Sequence, residues 1–174
     1  CKERSGLDVK KLAADFTVNP TIMEFKDLDL QTNKSRLSNY YAMRFNHFND
    51  DFANYESNVT MKANFKNSTL HSSDIALFTS SLKKLNRVVE LSGKFDGTVN
   101  NFTINQLVAK SNNSSIVGNL SMTGLPDIDK TNITLVNGNV QTNATDLAEF
   151  VPAIKTFNNP DSPALGNISF KGSF

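Results

Sequence analysis

Few residues in this chain have the type and spacing that chemistry needs. Two histidines, His47 and His71, are its only imidazoles, and they stand far apart in the chain. A metal site would need His, Cys or acidic ligands at short helical or loop spacings, such as His-x-x-x-His, and neither histidine has one. Asp127-x-Asp129 offers a pair of oxygen ligands for calcium. No run of regularly spaced acids with a closing Glu follows it, so no calcium loop is completed. Asp50-Asp51 reads as a solvated charge pair. No Gly-x-Ser-x-Gly elbow and no Gly-x-x-x-x-Gly-Lys loop occurs. Catalysis needs convergent polar groups with tuned proton affinities. The sequence shows no such group, so the expectation is a protein that is not an enzyme and uses no metal or cofactor.

Cys1 is the only cysteine, so no internal disulfide forms and cysteine usage leaves the compartment open. An N-terminal Cys suits a lipid-modified terminus. Against that, Lys2-Glu3-Arg4-Ser5-Gly6 runs directly into patterned sequence, which favours a chain boundary falling there. There are 23 Asn, ten of them in Asn-x-Ser/Thr triplets, among them Asn67, Asn101, Asn119 and Asn132. Dense glycosylation is one reading. The simpler one is a strand with a polar outer face, because residues i and i+2 share a face and generate such triplets.

The elements behind these residues are repeated strands. Phe25-x-x-Leu28-x-Leu30-x-Thr32-x-x-Ser35-x-Leu37-x-Asn39-x-Tyr41-x-Met43 recurs as Ile104-x-x-Leu107-x-Ala109-x-Ser111-x-x-Ser114-x-Ile116-x-Gly118-x-Leu120-x-Met122, every pair at the same separation. The period of two, interrupted by three-residue steps, is that of strand, turn and strand with one apolar face. Ser73-Asp74-Ile75-Ala76-x-Phe78 recurs as Thr145-Asp146-Leu147-Ala148-x-Phe150, and Phe95-Asp96-Gly97-Thr98 aligns loosely with Phe170-Lys171-Gly172-Ser173. A repeated β-rich unit buries its apolar face with its neighbours and acts through an extended surface.

Net charge is +1 with dispersed Lys and Arg, which excludes the footprint of a nucleic-acid binder. The chain carries 13 Phe and no Trp, a composition suited to an apolar wall rather than a sugar-stacking platform. Strands are expected near 11–16, 22–30, 36–45, 58–65, 90–99, 102–111, 115–123 and from 167. A loop or short helical turn is expected at 47–55, and turns at Lys66-Asn67 and Asn137-Gly138, the latter a strong hairpin signal. Ser73 caps an expected amphipathic helix over about 73–89 with Ile75, Phe78, Leu82, Leu85 and Val89 on one face. Thr145 caps a second over about 145–157, with Phe150 and Ile154 inward and Pro152 as a kink. The domain reading is a first repeat over 1–90 and a second over 91–174, its last strand cut short.

Asp27-Leu28-x-Leu30-x-Thr32-x-x-Ser35-x-Leu37-x-x-Tyr40-Tyr41-Ala42-Met43, Asp74-Ile75-Ala76-x-Phe78 and Met122-Thr123-Gly124-Leu125-Pro126-Asp127-Ile128 resemble the TamB proteins of Bacteroidetes-type Gram-negative bacteria, in the wider AsmA-like envelope group. The resemblance runs from about Gly6 onward. It implies an internal segment of a long protein anchored at the inner membrane and reaching across the periplasm. It also implies a curved, taco-like β-groove with an apolar inside, roles in phospholipid transport and outer-membrane protein assembly, and a TamA-type partner docking through regions absent here.

The expected fold is therefore mainly β: a curved antiparallel sheet of repeated meanders with two inserted amphipathic helices. Leu37, Tyr41, Met43, Phe45, Met61, Phe65, Phe95, Leu120 and Met122 are the candidate groove residues for phospholipid acyl chains. Ile75, Phe78, Leu82, Leu85, Phe150 and Ile154 are expected to pack helices onto the groove. Neighbouring groove segments of the same chain are the other expected partner, with no nucleic acid. Two alternatives stand beside the conduit: a scaffold whose sheet edge pairs with client strands, and a cell-surface adhesive β-solenoid.

Overall fold

The computed structural model describes residues 8–75, 86–125, 127, 130–143, 145–146 and 166–173. Nine strands form one open antiparallel sheet in simple sequence order. They are β1 (Lys11–Asn19), β2 (Ile22–Gln31), β3 (Arg36–Arg44), β4 (Thr60–His71), β5 (Val88–Thr98), β6 (Asn101–Ser111), β7 (Ser114–Thr123), β8 (Asn132–Asn143) and β9 (Asn167–Gly172). Short helices interrupt the meander, among them α1 (Phe48–Ala53), α2 (Tyr55–Asn58) and α3 (Ser72–Ile75). The mainly β, open antiparallel sheet is the fold expected from the period-two pattern. The boundary read at 90/91 falls inside β5, and the two repeats are continuous in one sheet.

The ladder registers carry the repeat into three dimensions. Phe16 opposite Phe25 and Leu12 opposite Leu30 in β1–β2 recur as Phe95 opposite Ile104 and Leu91 opposite Ala109 in β5–β6. Phe25 opposite Tyr41 recurs as Ile104 opposite Leu120. All of these matches share the offset that carries Leu28 to Leu107 in the sequence. Under that offset Gly93 matches Gly172 and Leu91 matches Phe170. The expected alignment of Phe170-Lys171-Gly172-Ser173 with Phe95-Asp96-Gly97-Thr98 is corrected accordingly.

A row of bulges crosses the sheet. Register shifts break each ladder from β1–β2 to β7–β8. The even strands each place one residue in the left-handed region there: Asp27 (φ 51), Asn67 (φ 47), Gln106 (φ 55) and Asn137 (φ 52). Asn39, Gly93 and Gly118 stand opposite with positive φ. Asn and Asp tolerate this conformation because their short polar side chains bond locally, and glycine because it has no Cβ. Three of the extra N–H groups are met by side chains in or just past the next strand. Asn67 N–H donates to Ser92 Oγ (3.1 Å), Gln106 N–H to Asn119 Oδ1 (3.0 Å) and Asn137 N–H to Ser173 Oγ (3.2 Å).

Two expected turns are therefore not turns. Lys66-Asn67 lies within continuous β4, and Asn137-Gly138 within continuous β8. The left-handed Asn that signals a hairpin serves a bulge equally well. The first expected helix is also corrected at its end. Val89 is not helical but stands in β5 opposite Leu70, because the Val88-Val89 pair suits a ladder better than a last helical turn. Phe78, Leu82, Leu85, Phe150 and Ile154, with the helices built on them, lie outside the described residues. Ile75 ends α3.

Candidate functional site: an apolar face on a creased sheet

The registers give the sheet two faces, one much richer in apolar side chains than the other. Opposed residues point to the same face, and each bulge keeps the parity of that face across the row. One face carries Leu12, Phe16 and Val18 of β1, then Met23, Phe25, Leu28 and Leu30 of β2. It continues through Leu37, Tyr41 and Met43 of β3 and Met61, Ala63, Phe65 and Leu70 of β4. Leu91 and Phe95, then Phe102, Ile104 and Leu107, follow on β5 and β6. Ile116, Leu120 and Met122, then Ile133, Leu135 and Val140, complete it on β7 and β8. The opposite face carries Lys11, Glu24, Lys26, Asp29, Arg36, Arg44, Lys62, Lys94, Asp96 and Lys110, and also the exposed Val88, Val108, Val117 and Val136.

The bulge row marks a crease in the apolar face. A bulge bends its strand and increases the local twist, so a row of bulges bends the sheet. Three well-buried leucines of this face lie along that line: Leu28 is 5% exposed, Leu107 4% and Leu135 1%. Their left-handed neighbours Asp27, Gln106 and Asn137 are exposed on the other side. Beside the bulge row the apolar face is therefore well covered. Small residues allow the close packing there. A Cβ on Gly93 would lie 2.9 Å from Ile104 Cγ2, and one on Gly118 would lie 3.1 Å from Leu135 Cδ1.

Away from the crease the same face is accessible. Phe16, Val18, Ile116, Ile133 and Phe170 are all more than a third exposed. Aromatic rings cross its first half in a row. Phe16 and Phe25 centroids are 4.8 Å apart, Phe25 and Tyr41 6.3 Å, and Tyr41 and Phe65 6.5 Å. Phe95 stacks on Phe102 at 4.7 Å.

Eight of the nine candidate groove residues lie on this face within strands: Leu37, Tyr41, Met43, Met61, Phe65, Phe95, Leu120 and Met122. Phe45 lies just past β3 and is buried against Phe48 and Phe52 at 5.7 and 5.3 Å, both edge-on. It belongs to a lid. Helices α1 and α2 fold over the β3–β4 end of the face. Tyr55 Oη lies 3.1 Å from Tyr41 Oη and 3.1 Å from Met61 Sδ. Burial first, and then the neighbouring Tyr55, push the Tyr41 phenol well above its usual range, so it stays neutral. The lid is closed on itself and tied to a neighbouring turn. Asn46 and His47 N–H donate to the Asp51 carboxylate at 2.6 and 3.0 Å, holding it below the usual carboxylate range. Asn100 of the β5–β6 turn donates to Glu56 O and Ser57 Oγ. The lid was legible only as a polar and aromatic break in the alternation. Phe16, Phe25, Phe102, Ile104 and Leu135 are face residues absent from the candidate set. The sequence repeat already contained Phe25 and Ile104.

The other end of the sheet carries a repeated polar clasp. Ser35 Oγ donates to Asp74 at 2.6 Å and accepts from His71 N–H at 2.9 Å; Thr32 Oγ1 donates to the same carboxylate. In the second repeat Ser114 Oγ donates to Asp146 at 2.8 Å. Asp146 also pairs with Arg87 at 3.0 Å, and both side chains are nearly buried. The Ser114 hydroxyl first, then Arg87, holds the Asp146 carboxyl below its ordinary range. These polar groups are spent on closing turns and pinning segments.

Among the described residues no group of three or more His, Cys, Asp or Glu could hold a metal ion, and no helix is long and apolar enough to cross a membrane. No family model, curated protein or solved structure matches the chain.

Proposed function

We propose that this chain is a segment of a lipid-conducting β-groove, with the apolar face as the path for phospholipid acyl chains between two membranes. The observation that supports this most is the apolar face running through the ladders from β1 to β8. Eight strand spacings of about 4.8 Å give the nine-stranded sheet a width of about 38 Å. A bilayer's hydrocarbon core is about 30 Å thick and one acyl chain spans half of it. A chain therefore fits across several strands without leaving the face. Each methylene taken from water contributes about 0.8 kcal/mol. A lipid that slides needs no fixed polar ligand, and the polar residues here are committed to clasps, lid anchors and the outer face.

On this reading the setting is the periplasm, within a protein held at the inner membrane of a Gram-negative bacterium. The groove also supports outer-membrane protein assembly beside a TamA-type partner. The resemblance to TamB proteins rests on the quoted motifs alone. The alternative of a scaffold for client strands draws on one observation, the regular edge strand β1.

The test is native mass spectrometry of the chain purified from a Gram-negative host. Bound phospholipid that Met122→Arg and Phe65→Asp displace, with the far-ultraviolet β signal retained, is the expected result. A lipid-free chain that also takes up no phospholipid from vesicles rejects the conduit.

A further inference from the structure

β1 is the third member of a strand type whose outer edge is occupied in its two other occurrences. The repeat offset carries Leu12, Ala13 and Ala14 to Leu91, Ser92 and Gly93, and carries these in turn to Phe170, Lys171 and Gly172. β1 meets β2 in the same register in which β5 meets β6. β5 then takes β4 on its other edge, and β9 takes β8. The two docked strands arrive in matching register. Met61 faces Met43 and Ile133 faces Met122, which makes Met61 and Ile133 equivalent. Counting on equally from each, Ser68 is equivalent to Val140; Ser68 lies opposite Leu91 and Val140 opposite Phe170. Among the described residues β1 pairs with β2 alone.

The side chains of β1 are correspondingly open. Leu12 is 57% exposed and Phe16 53%, while their counterparts Leu91 and Phe95 are half-buried. β1 carries charges at Lys11 and Asp15 but few of the other devices that blunt an edge. It is nine residues long, with no proline and no left-handed residue.

We propose that the outer edge of β1 is a docking site for an antiparallel strand of the β4/β8 type. Such a strand alternates apolar and polar residues and carries a left-handed Asn bulge. It would continue the apolar face beyond β1, with Leu12 opposite the position that Ser68 and Val140 hold. This inference does not depend on the lipid reading, because it follows from register.

The test uses the Cys1→Ser chain and a synthetic peptide of residues 131–143. The register predicts two outer-face pairs. Ala13 matches Lys171, which lies opposite Asn139, so Ala13 should face peptide Asn139. Thr17 matches Asp96, which faces Lys62, and Lys62 matches Thr134, so Thr17 should face peptide Thr134. Ala13→Cys with the Asn139→Cys peptide, and Thr17→Cys with the Thr134→Cys peptide, should form disulfides about tenfold faster than the two crossed combinations, the ratio that about 1.4 kcal/mol of register preference produces. Both chain positions are exposed, so neither variant threatens folding. Equal rates in all four combinations, or rates no higher than with a scrambled peptide, overturn the proposal. So does an Ala13→Cys homodimer that excess peptide leaves intact, because β1 would then be a self-association edge. Phospholipid binding is read separately and can fail without altering the disulfide pattern.

Discussion

The two repeats build the same strands and finish them differently. In the first, the segment between β3 and β4 forms α1 and α2 and covers Met43 and Met61. In the second, a shorter segment joins β7 to β8, and Ile133 beside Met122 stays 52% exposed. The ladder beneath is the same: Met43 faces Met61 and Met122 faces Ile133. The difference shows that covering this face is optional for the sheet. Its strands are held by ladders and by the crease, and the lid is an addition at one end.

The largest expected effect is at the crease, where the repeats should agree. Leu28→Ala and Leu107→Ala remove matching buried side chains, and each should cost about 3 kcal/mol in urea unfolding. A loss at one site and none at the other would mean that only one repeat is built around its crease. The clasps should differ. Asp74 and Asp146 both hold a serine turn, but Asp146 also answers Arg87. Asp146→Ala should cost about 2 kcal/mol, and more than Asp74→Ala, because it leaves a nearly buried guanidinium without that partner.

Asp146 also sets a pH dependence. Its folded-state affinity for protons lies below the unfolded value of about 3.9. The stability it contributes is therefore present above that value and is lost as pH falls through the lower, folded one. Asp146→Asn should be less stable at neutral pH and show a shallower decline in acid. An unchanged acid limb would show that the clasp carries no charge-dependent stability.

Within the lid, the Tyr55 hydroxyl should give the smallest effect on stability. Tyr55→Phe deletes the hydroxyl between Tyr41 and Met61 and should cost about 1 kcal/mol. Replacing residues 45–59 by the linker 124–131 should leave the sheet folded and raise binding of an apolar dye. Collapse of the β signal would show that the lid holds the first repeat together.

Much of this was readable beforehand. The face of Leu37, Tyr41, Met43, Met61, Phe65, Leu120 and Met122 follows from period two alone, because a strand has only two sides. The crease was present as the step from Phe25 to Leu28 and from Ile104 to Leu107, but a three-residue step inside an apolar pattern does not say whether the chain turns or bulges. Asn137-Gly138 shows the same ambiguity: its backbone preference is met equally by a hairpin and by a left-handed bulge. Only the partner strand decides, and pairing is not local information. The lid was hidden for another reason. Phe45, Phe48, Phe52 and Tyr55 recur at helical steps of three, four and three, but the helices they build are short, and what orders them is the sheet beneath. The clasp was visible as a repeated Ser/Thr-Asp, read as a helix cap, while its bonds to Ser35 and Ser114 cross 39 and 32 residues of chain.

The central claim is that the apolar side of the sheet, and not its polar side, carries acyl chains. A photo-reactive phenylalanine analogue at Phe95 or Met122, and in parallel at Arg44 or Lys62, tests it in a Gram-negative host. Phospholipid adducts at Phe95 and Met122 with none at Arg44 and Lys62 are the predicted result. Equal labelling of the two faces, or no adduct at any position in a folded chain, would contradict it.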